Sequence, residues 1–291
     1  MNLKKLCVFF GYSRQAYYKS LCCAVKEDHS VLLRYVIERR KELPFEGIRK
    51  LYTHITRDTE FRISRARLEY LILQNGLIIN KRKMCRCLTN SFHRNTISEN
   101  YLQRNMPEHV LEVLVSDITY LRTRNKEYYL TAIMDLYARM ILSYCLTNQL
   151  STDGLIRAFM LIVGKYKEEL KGSIFHSDRG TQYCSNRFRE LAIKHGVRLS
   201  NSRNGNPYDN ACMERLFSTL KNEYMLKITF PDLSSLNRAL KNAVYSYNNT
   251  RLHMSLENQT PKEFFIAGLN SYAHIDKERK SNKKKEILII N

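Results

Sequence analysis

Near residue 107 the apolar periodicity of this chain changes from that of helices to that of strands, and the change limits its fold more than any other feature. Leu111–Leu121, Tyr128–Leu136 and Met140–Leu146 are runs rich in Val, Ile, Leu and Tyr, separated by Arg122-Thr-Arg-Asn125 and by Ala138-Arg139. Their composition and spacing predict three consecutive antiparallel strands. Thr152 to Lys167 carries a strongly apolar helical face, Ser173 to His176 is a short buried strand, Asn186 to His195 is a helix closed by Gly196, and Val197 to Ser200 is a fifth strand. After the loop Asn204-Gly-Asn-Pro207, Asp209 or Asn210 can cap a long helix reaching about Met225. This order implies an α/β fold, a mixed five-stranded sheet with flanking helices.

Upstream the pattern is helical. Val31, Leu32, Leu33, Val36 and Ile37 recur at helical spacing before Pro44, Ile48, Leu51, Tyr52 and Ile55 repeat it, and Ser64 can cap a third segment from Arg65 to Gln74 that stops at Asn75-Gly76. Three short helices bearing Arg49, Lys50, Arg65 and Arg67 suit a helix-turn-helix-like DNA-binding region over 1–80, and suit equally a basic bundle with a solvated face. Residues 81–106 lack apolar periodicity and read as a linker, a second domain spans 107–226 with a further segment to about 268, and 269–291, with the basic run Lys277 to Lys285, reads as a disordered tail.

Charge points to the partner. The chain of 291 residues has 48 Lys and Arg against 28 Asp and Glu, a formal net charge of +20. That excess favours a polyanion, because each phosphate neutralised by a basic side chain releases condensed counterions. Residues 1–106 carry 21 basic and 9 acidic residues, 107–215 carry 15 and 12, and 216–291 carry 12 and 7. A nearly neutral middle between basic flanks is what a carboxylate-based metal centre beside phosphate-holding arms would need. The eight cysteines are scattered without a C-x-x-C pair, which predicts reduced thiols in the cytoplasm, with neither a disulfide framework nor a zinc site. No apolar run approaches the length of a membrane span, so no membrane partner is expected.

Three acids stand where metal-assisted phosphodiester chemistry would use them, since Mg²⁺ prefers hard oxygen ligands gathered from several elements. Asp117 lies inside the first strand, in Val-Leu-Val-Ser-Asp-Ile-Thr-Tyr; Asp178 follows the fourth strand, in Phe175-His-Ser-Asp-Arg-Gly-Thr-Gln-Tyr183; Glu214 sits on the last long helix. Lys221 is seven residues beyond Glu214, two turns along one face. Taken singly, each acid also fits a bland role as a buried strand acid, a turn residue or a solvated helix charge. Asp135 reads as structural, Asp209 as an N-cap rather than a ligand, and His176 as a residue that orients the Asp178 loop. Tyr247, Arg251 and His253 fit packing and DNA-backbone contact equally.

The combination resembles a known family. Asp-Ile-Thr-Tyr at 117–120, His-Ser-Asp-Arg-Gly-Thr-Gln-Tyr at 176–183, Asn-Pro-Tyr-Asp-Asn-Ala at 206–211 before Glu214, Leu-Lys-Asn-Glu at 220–223 and the 35 residues between Asp178 and Glu214 are similar to the DDE transposases and retroviral integrases. Tyr247-Asn-Asn-Thr-Arg-Leu-His-Met-Ser-Leu256 and Thr260-Pro-Lys-Glu-Phe264 narrow the resemblance to the OrfB product of the insertion-sequence-three family. It implies an RNase H-like core, with Asp117, Asp178 and Glu214 as catalytic residues holding two Mg²⁺ or Mn²⁺ ions. It implies cleavage at the element's 3′ end followed by strand transfer to target DNA. Lys221, Arg179, Arg215, Arg49, Lys50, Arg65, Arg67 and Arg251 are the candidate DNA contacts. Implied partners are the terminal inverted repeats, target DNA, an upstream-frame OrfA product joined by frameshift fusion, and further copies of the chain on DNA, in the nucleoid. Where the family has a Trp three residues before its first Asp, this chain has Leu114. The competing readings are a catalytically idle DNA-binding regulator or decayed copy, and an RNase H-like nuclease that cuts without joining.

Overall fold

The computed structural model describes residues 3–23, 29–79, 101, 106–202 and 210–271. Most of the expected linker, Asp209, Cys85, Cys87 and the run Lys277 to Lys285 lie outside them. The chain divides into two compact units, one from Met1–Glu42 and Gly47–Ile78, the other from Leu43–Glu46 and Ile79–Asn291.

The first unit contains α1 (Leu3–Phe9), α2 (Arg14–Cys23), α3 (Ser30–Glu42), α4 (Ile48–Asp58) and α5 (Arg65–Gln74). The predicted helices are the last three, and α1 and α2 are additions. Phe9 is 79% exposed and Val8 72%, so α1 buries too little to print a periodic stripe on its seven residues. Leu32 and Val36 of α3, Leu51 and Ile55 of α4, and Leu68, Leu71 and Ile72 of α5 form one apolar core. Ser64 caps α5 as its sequence predicts, its hydroxyl accepting from the Arg67 N–H at 3.2 Å. Gly76, at φ +65°, lets the chain turn away after that helix.

In the second unit β1 (Val113–Thr123), β2 (Glu127–Asp135) and β3 (Ile141–Thr147) form the antiparallel meander. α6 (Thr152–Tyr166) then leads to β4 (Ile174–Ser177), and α7 (Asn186–Lys194) leads to β5 (Arg198–Asn201). Both of these strands run parallel in the order β3-β2-β1-β4-β5. α8 (Ala211–Asn222) and α9 (Leu233–Asn249) follow. The expected count of five strands is corrected to six, because Thr229–Phe230 forms β6 against the far end of β1. A two-residue strand is too short to carry an alternation, and only its partner defines it. α8 also ends at Asn222 rather than near Met225, which adopts a left-handed φ of 61°.

Alternation along β1 explains the layering. Val113 and Val115 face a core shared with Met213, Leu216, Phe217 and Leu220 of α8 and Leu236, Leu240 and Tyr247 of α9. Leu114 faces the opposite core, with Phe159 of α6, Phe175 of β4 and Phe188 of α7. The residue standing in for the family's Trp is therefore fully buried packing. Asn248 of α9 clasps the edge strand β3, its side chain accepting from Ile141 N–H at 3.0 Å and donating to Ile141 C=O at 2.9 Å. A last helical run over 261–271 starts on a capping box, in which the Glu263 carboxylate accepts from Thr260 N–H and Thr260 Oγ1 accepts from Glu263 N–H. It returns Phe265 to the α6 side of the sheet. The three-stranded meander followed by parallel β4 and β5, with helices on both faces, is the RNase H-like architecture.

Candidate active site

Two parallel strands bring the first two carboxylates together. Ser116 of β1 pairs with Ser177, the last residue of β4; Asp117 is the next residue on β1 and Asp178 follows directly after β4. Adjacent strands lie about 5 Å apart, so the register alone makes these two acids neighbours. Glu214 enters from the first turn of α8, whose Met213, Leu216, Phe217 and Leu220 are buried while Glu214 and Arg215 are exposed. The buried face of that helix therefore leaves Glu214 on its open side.

The electrostatics tie the three together. Burial, then the negative charge of Asp178, then that of Glu214 push the Asp117 carboxyl up to about 7, against donation from Ile118 N–H and from the Asn210 side chain. A hydrogen bond of 2.8 Å joins Ile118 N–H to Asp117 Oδ1. Such mutual repulsion is what a divalent cation relieves, and three carboxylates form a hard-oxygen donor set suited to Mg²⁺ or Mn²⁺. Among the described residues, no three His, Cys, Asp or Glu side chains are gathered closely enough to enclose an ion as they stand.

The Asp178 turn is held from several sides. Asp178 Oδ1 accepts from Gly180 N–H at 2.9 Å, and its carbonyl accepts from Asn201 Nδ2 at 2.9 Å. Arg179 Nε donates to the Ser202 carbonyl at 2.8 Å. A Cβ at Gly180 would stand 3.0 Å from Asp178 Oδ1, so glycine is what the closeness of that turn requires. His176 is fully buried, its Nδ1 2.9 Å from Ser200 Oγ on β5, and Ser200 Oγ also accepts from Tyr101 N–H at 3.0 Å.

Below the acids, Ser116 Oγ donates to the Ala132 carbonyl and accepts from the Tyr183 hydroxyl, both at 2.9 Å. Burial, then the charges of Asp117 and Asp178, hold that phenol well above its usual range. Asp135 lies apart from the site. It accepts from Leu111 N–H at 2.7 Å and Ala138 N–H at 2.6 Å, and burial pushes its carboxyl up to about 6. Asn210, Ser116 and Tyr183 were missed as functional neighbours from sequence. Tyr183 and Asn210 stand inside the quoted motifs, but a motif does not say which side chain each one touches.

Of the remaining candidates, Lys221 reaches Thr119 on β1, with Nζ 2.6 Å from Oγ1. Arg251 is buried and grips Glu223 with both terminal nitrogens, one of these bonds at 2.9 Å. Its neighbours Tyr247 and His253 stack edge to face with ring centres 5.2 Å apart. In the first unit Arg49 is exposed on α4, Lys50 is half-buried, and Arg65 and Arg67 are exposed at the start of α5. Cys7, Cys145, Cys184 and Cys212 are free thiols. Among the described residues no helix is long and apolar enough to cross a membrane.

Residues 107–207 and 195–261 each match a family model described as an integrase core domain. The chain is 29% identical over 265 residues to an uncharacterised 31 kDa protein of insertion element IS600 from Shigella sonnei, covering 89% of this chain and 97% of that protein. It is 34% identical over 155 residues to the transposase for insertion sequence element IS904 from Lactococcus lactis, covering 53% of this chain and 60% of that protein. With the transposase InsF for insertion sequence IS3A of Escherichia coli it shares 29% over 174 residues, covering 59% of this chain and 60% of that protein. Sheet, helices and matches together define a polynucleotidyl transferase core of the integrase type, a class whose function is DNA integration. The chain carries an integrase core domain and is similar to transposases of insertion sequences.

Proposed function

We propose that this chain is the catalytic subunit for transposition of an insertion sequence, cleaving the element's 3′ end and transferring it to target DNA at Asp117, Asp178 and Glu214. The observation that carries the reading is the register of Ser116 with Ser177, which sets Asp117 and Asp178 side by side, together with Glu214 on the open side of α8. Those three side chains would hold two Mg²⁺ or Mn²⁺ ions. When bound, such ions supply the Lewis acidity that activates a water or a 3′-hydroxyl and stabilises charge at phosphorus. Asn210 steadies the Asp117 carboxylate, and the Gly180 turn and Asn201 steady Asp178. Lys221, Arg179 and Arg215 are proposed DNA contacts near the acids, with Arg49, Lys50, Arg65 and Arg67 as contacts of the helical unit and Arg251 as the remaining candidate. The partners are the element's terminal inverted repeats, target DNA, the upstream-frame OrfA product in a frameshift fusion, and further copies of this chain assembled on DNA, at the nucleoid in the cytoplasm. Residues 1–80 serve as the DNA-binding region and 107–226 as the catalytic core.

The test uses the purified chain, alone and fused to its upstream frame, on labelled DNA bearing the element's end with a free 3′-hydroxyl. Mn²⁺-dependent joining to a second duplex, lost in Asp178→Asn and Glu214→Gln, is the expected result. Cutting without joining would make the chain a nuclease. Binding of the ends with neither cutting nor joining would make it a regulator or a decayed copy.

A further inference from the structure

The proposed function takes Lys221 as a DNA contact but gives no role to Thr119 and Tyr120, against which that lysine is seated. Lys221 Nζ donates to Thr119 Oγ1 at 2.6 Å and stands 4.4 Å from the centre of the Tyr120 ring. The Arg122 guanidinium lies 5.1 Å from the same ring and pairs with Glu127 at 2.8 Å. These contacts lie at an opening in the sheet. β4 pairs with β1 only as far as Ser116, and β6 begins opposite Arg122. Between those points, Asp117–Leu121 has β2 on one edge and, among the described residues, no strand on the other.

Asp117 and Thr119 are two residues apart on one strand and so share a face. An ammonium can only donate, so Thr119 Oγ1 is the acceptor in its bond to Lys221, and its own hydrogen remains to be given to a further acceptor. The cation polarises that hydroxyl and makes it a stronger donor. A directed O–H beside a positive charge, next to the proposed carboxylate centre and open at the sheet edge, matches an anionic oxygen with two acceptor directions.

We infer that the Thr119 hydroxyl and the Lys221 ammonium together form a binding subsite for a backbone phosphate of DNA, with the Tyr120 ring fixing the position of the ammonium. This rests on the proposed function for the identity of the polyanion. Thr119 is the new element: it contributes a donor of its own and does more than support the lysine.

The experiment measures binding of the full chain to a labelled duplex by fluorescence anisotropy over a salt series without divalent cation, beside joining with Mn²⁺. Thr119→Val keeps the shape and removes the hydroxyl, Thr119→Ser restores it, and Lys221→Met removes the charge. Thr119→Val should weaken binding about tenfold, the worth of one hydrogen bond to a charged group. It should leave the slope of log affinity against log salt unchanged, while Lys221→Met lowers that slope by about one. Thr119→Ser should recover the loss, and Thr119→Val should still weaken binding, by a smaller factor, once Lys221 is already Met. Wild-type affinity in Thr119→Val, equal weakness in Thr119→Ser, or no further loss when Thr119→Val is added to Lys221→Met would each overturn the subsite. A wild-type chain that binds through Thr119 yet joins nothing overturns the proposed function alone, and one that binds no DNA overturns both.

Discussion

The Tyr183 hydroxyl donates to Ser116 Oγ at 2.9 Å, tying the turn that carries Asp178 to the strand that carries Asp117. Ser116 immediately precedes Asp117, and Tyr183 closes the turn begun at Asp178, so one buried bond braces that turn against the strand whose register makes the two acids neighbours. Neither residue needs to meet DNA for this to matter. Both act by fixing where the carboxylates stand.

Tyr183→Phe keeps the ring in the core and removes the bond. It should cost about 1 kcal/mol in a urea titration, the usual worth of one hydrogen bond. It should also raise the Mn²⁺ concentration needed for half-maximal joining. Unchanged metal dependence would reduce Tyr183 to packing.

Gly180→Ala tests the turn from the other side. Its Cβ would stand 3.0 Å from Asp178 Oδ1 and 3.2 Å from Gln182 Oε1, so the carboxylate has to shift. Joining should fall at least tenfold while the thermal midpoint moves by only a few degrees, corresponding to about 1 kcal/mol for a domain of this size. Equal losses of stability and activity would contradict that division.

Arg251→Ala separates the two roles that its sequence context leaves open. Removing Arg251 from its part-buried pair with Glu223 should destabilise the chain by about 2 kcal/mol, the worth of a hydrogen bond between charged groups. The salt slope of DNA binding should stay at the wild-type value. A slope lower by about one with little loss of stability would instead make Arg251 a phosphate contact.

Asp135 makes the stability of the fold depend on pH. Its folded pKa of about 6 lies above the ordinary 3.8, so the folded state holds the proton more tightly between those values. The associated stability is present below about pH 4 and is lost as pH rises through about 6, a change of about 3 kcal/mol. Denaturation of wild type and Asp135→Asn at pH 4, 5, 6 and 7 should show the wild type losing ground to the variant over that span. Parallel curves would rule the linkage out.

Much of this protein is written locally. Val113, Leu114 and Val115 alternate between two cores as their order predicts, Ser64 caps α5, and the spacing of Met213, Leu216, Phe217 and Leu220 leaves Glu214 on the open side of its helix. These features follow from residues within a few turns of one another, where the backbone repeat decides which side chains share a face. The candidate acids were legible for the same reason, as carboxylates at defined points along a strand, a strand end and a helix.

Tertiary structure decided what joins across distance. Tyr183 meets Ser116, Lys221 meets Thr119, Arg251 meets Glu223 and Asn248 clasps Ile141, and β6 is a strand only because β1 lies beside it. Hydrogen bonds and ion pairs depend on distance and direction in space, and residues far apart along a chain carry no periodic signal of their pairing. The sequence by itself determined most of the elements and the acids they bear; the packing of the sheet against its helices decided the rest and which side chains hold those acids in place.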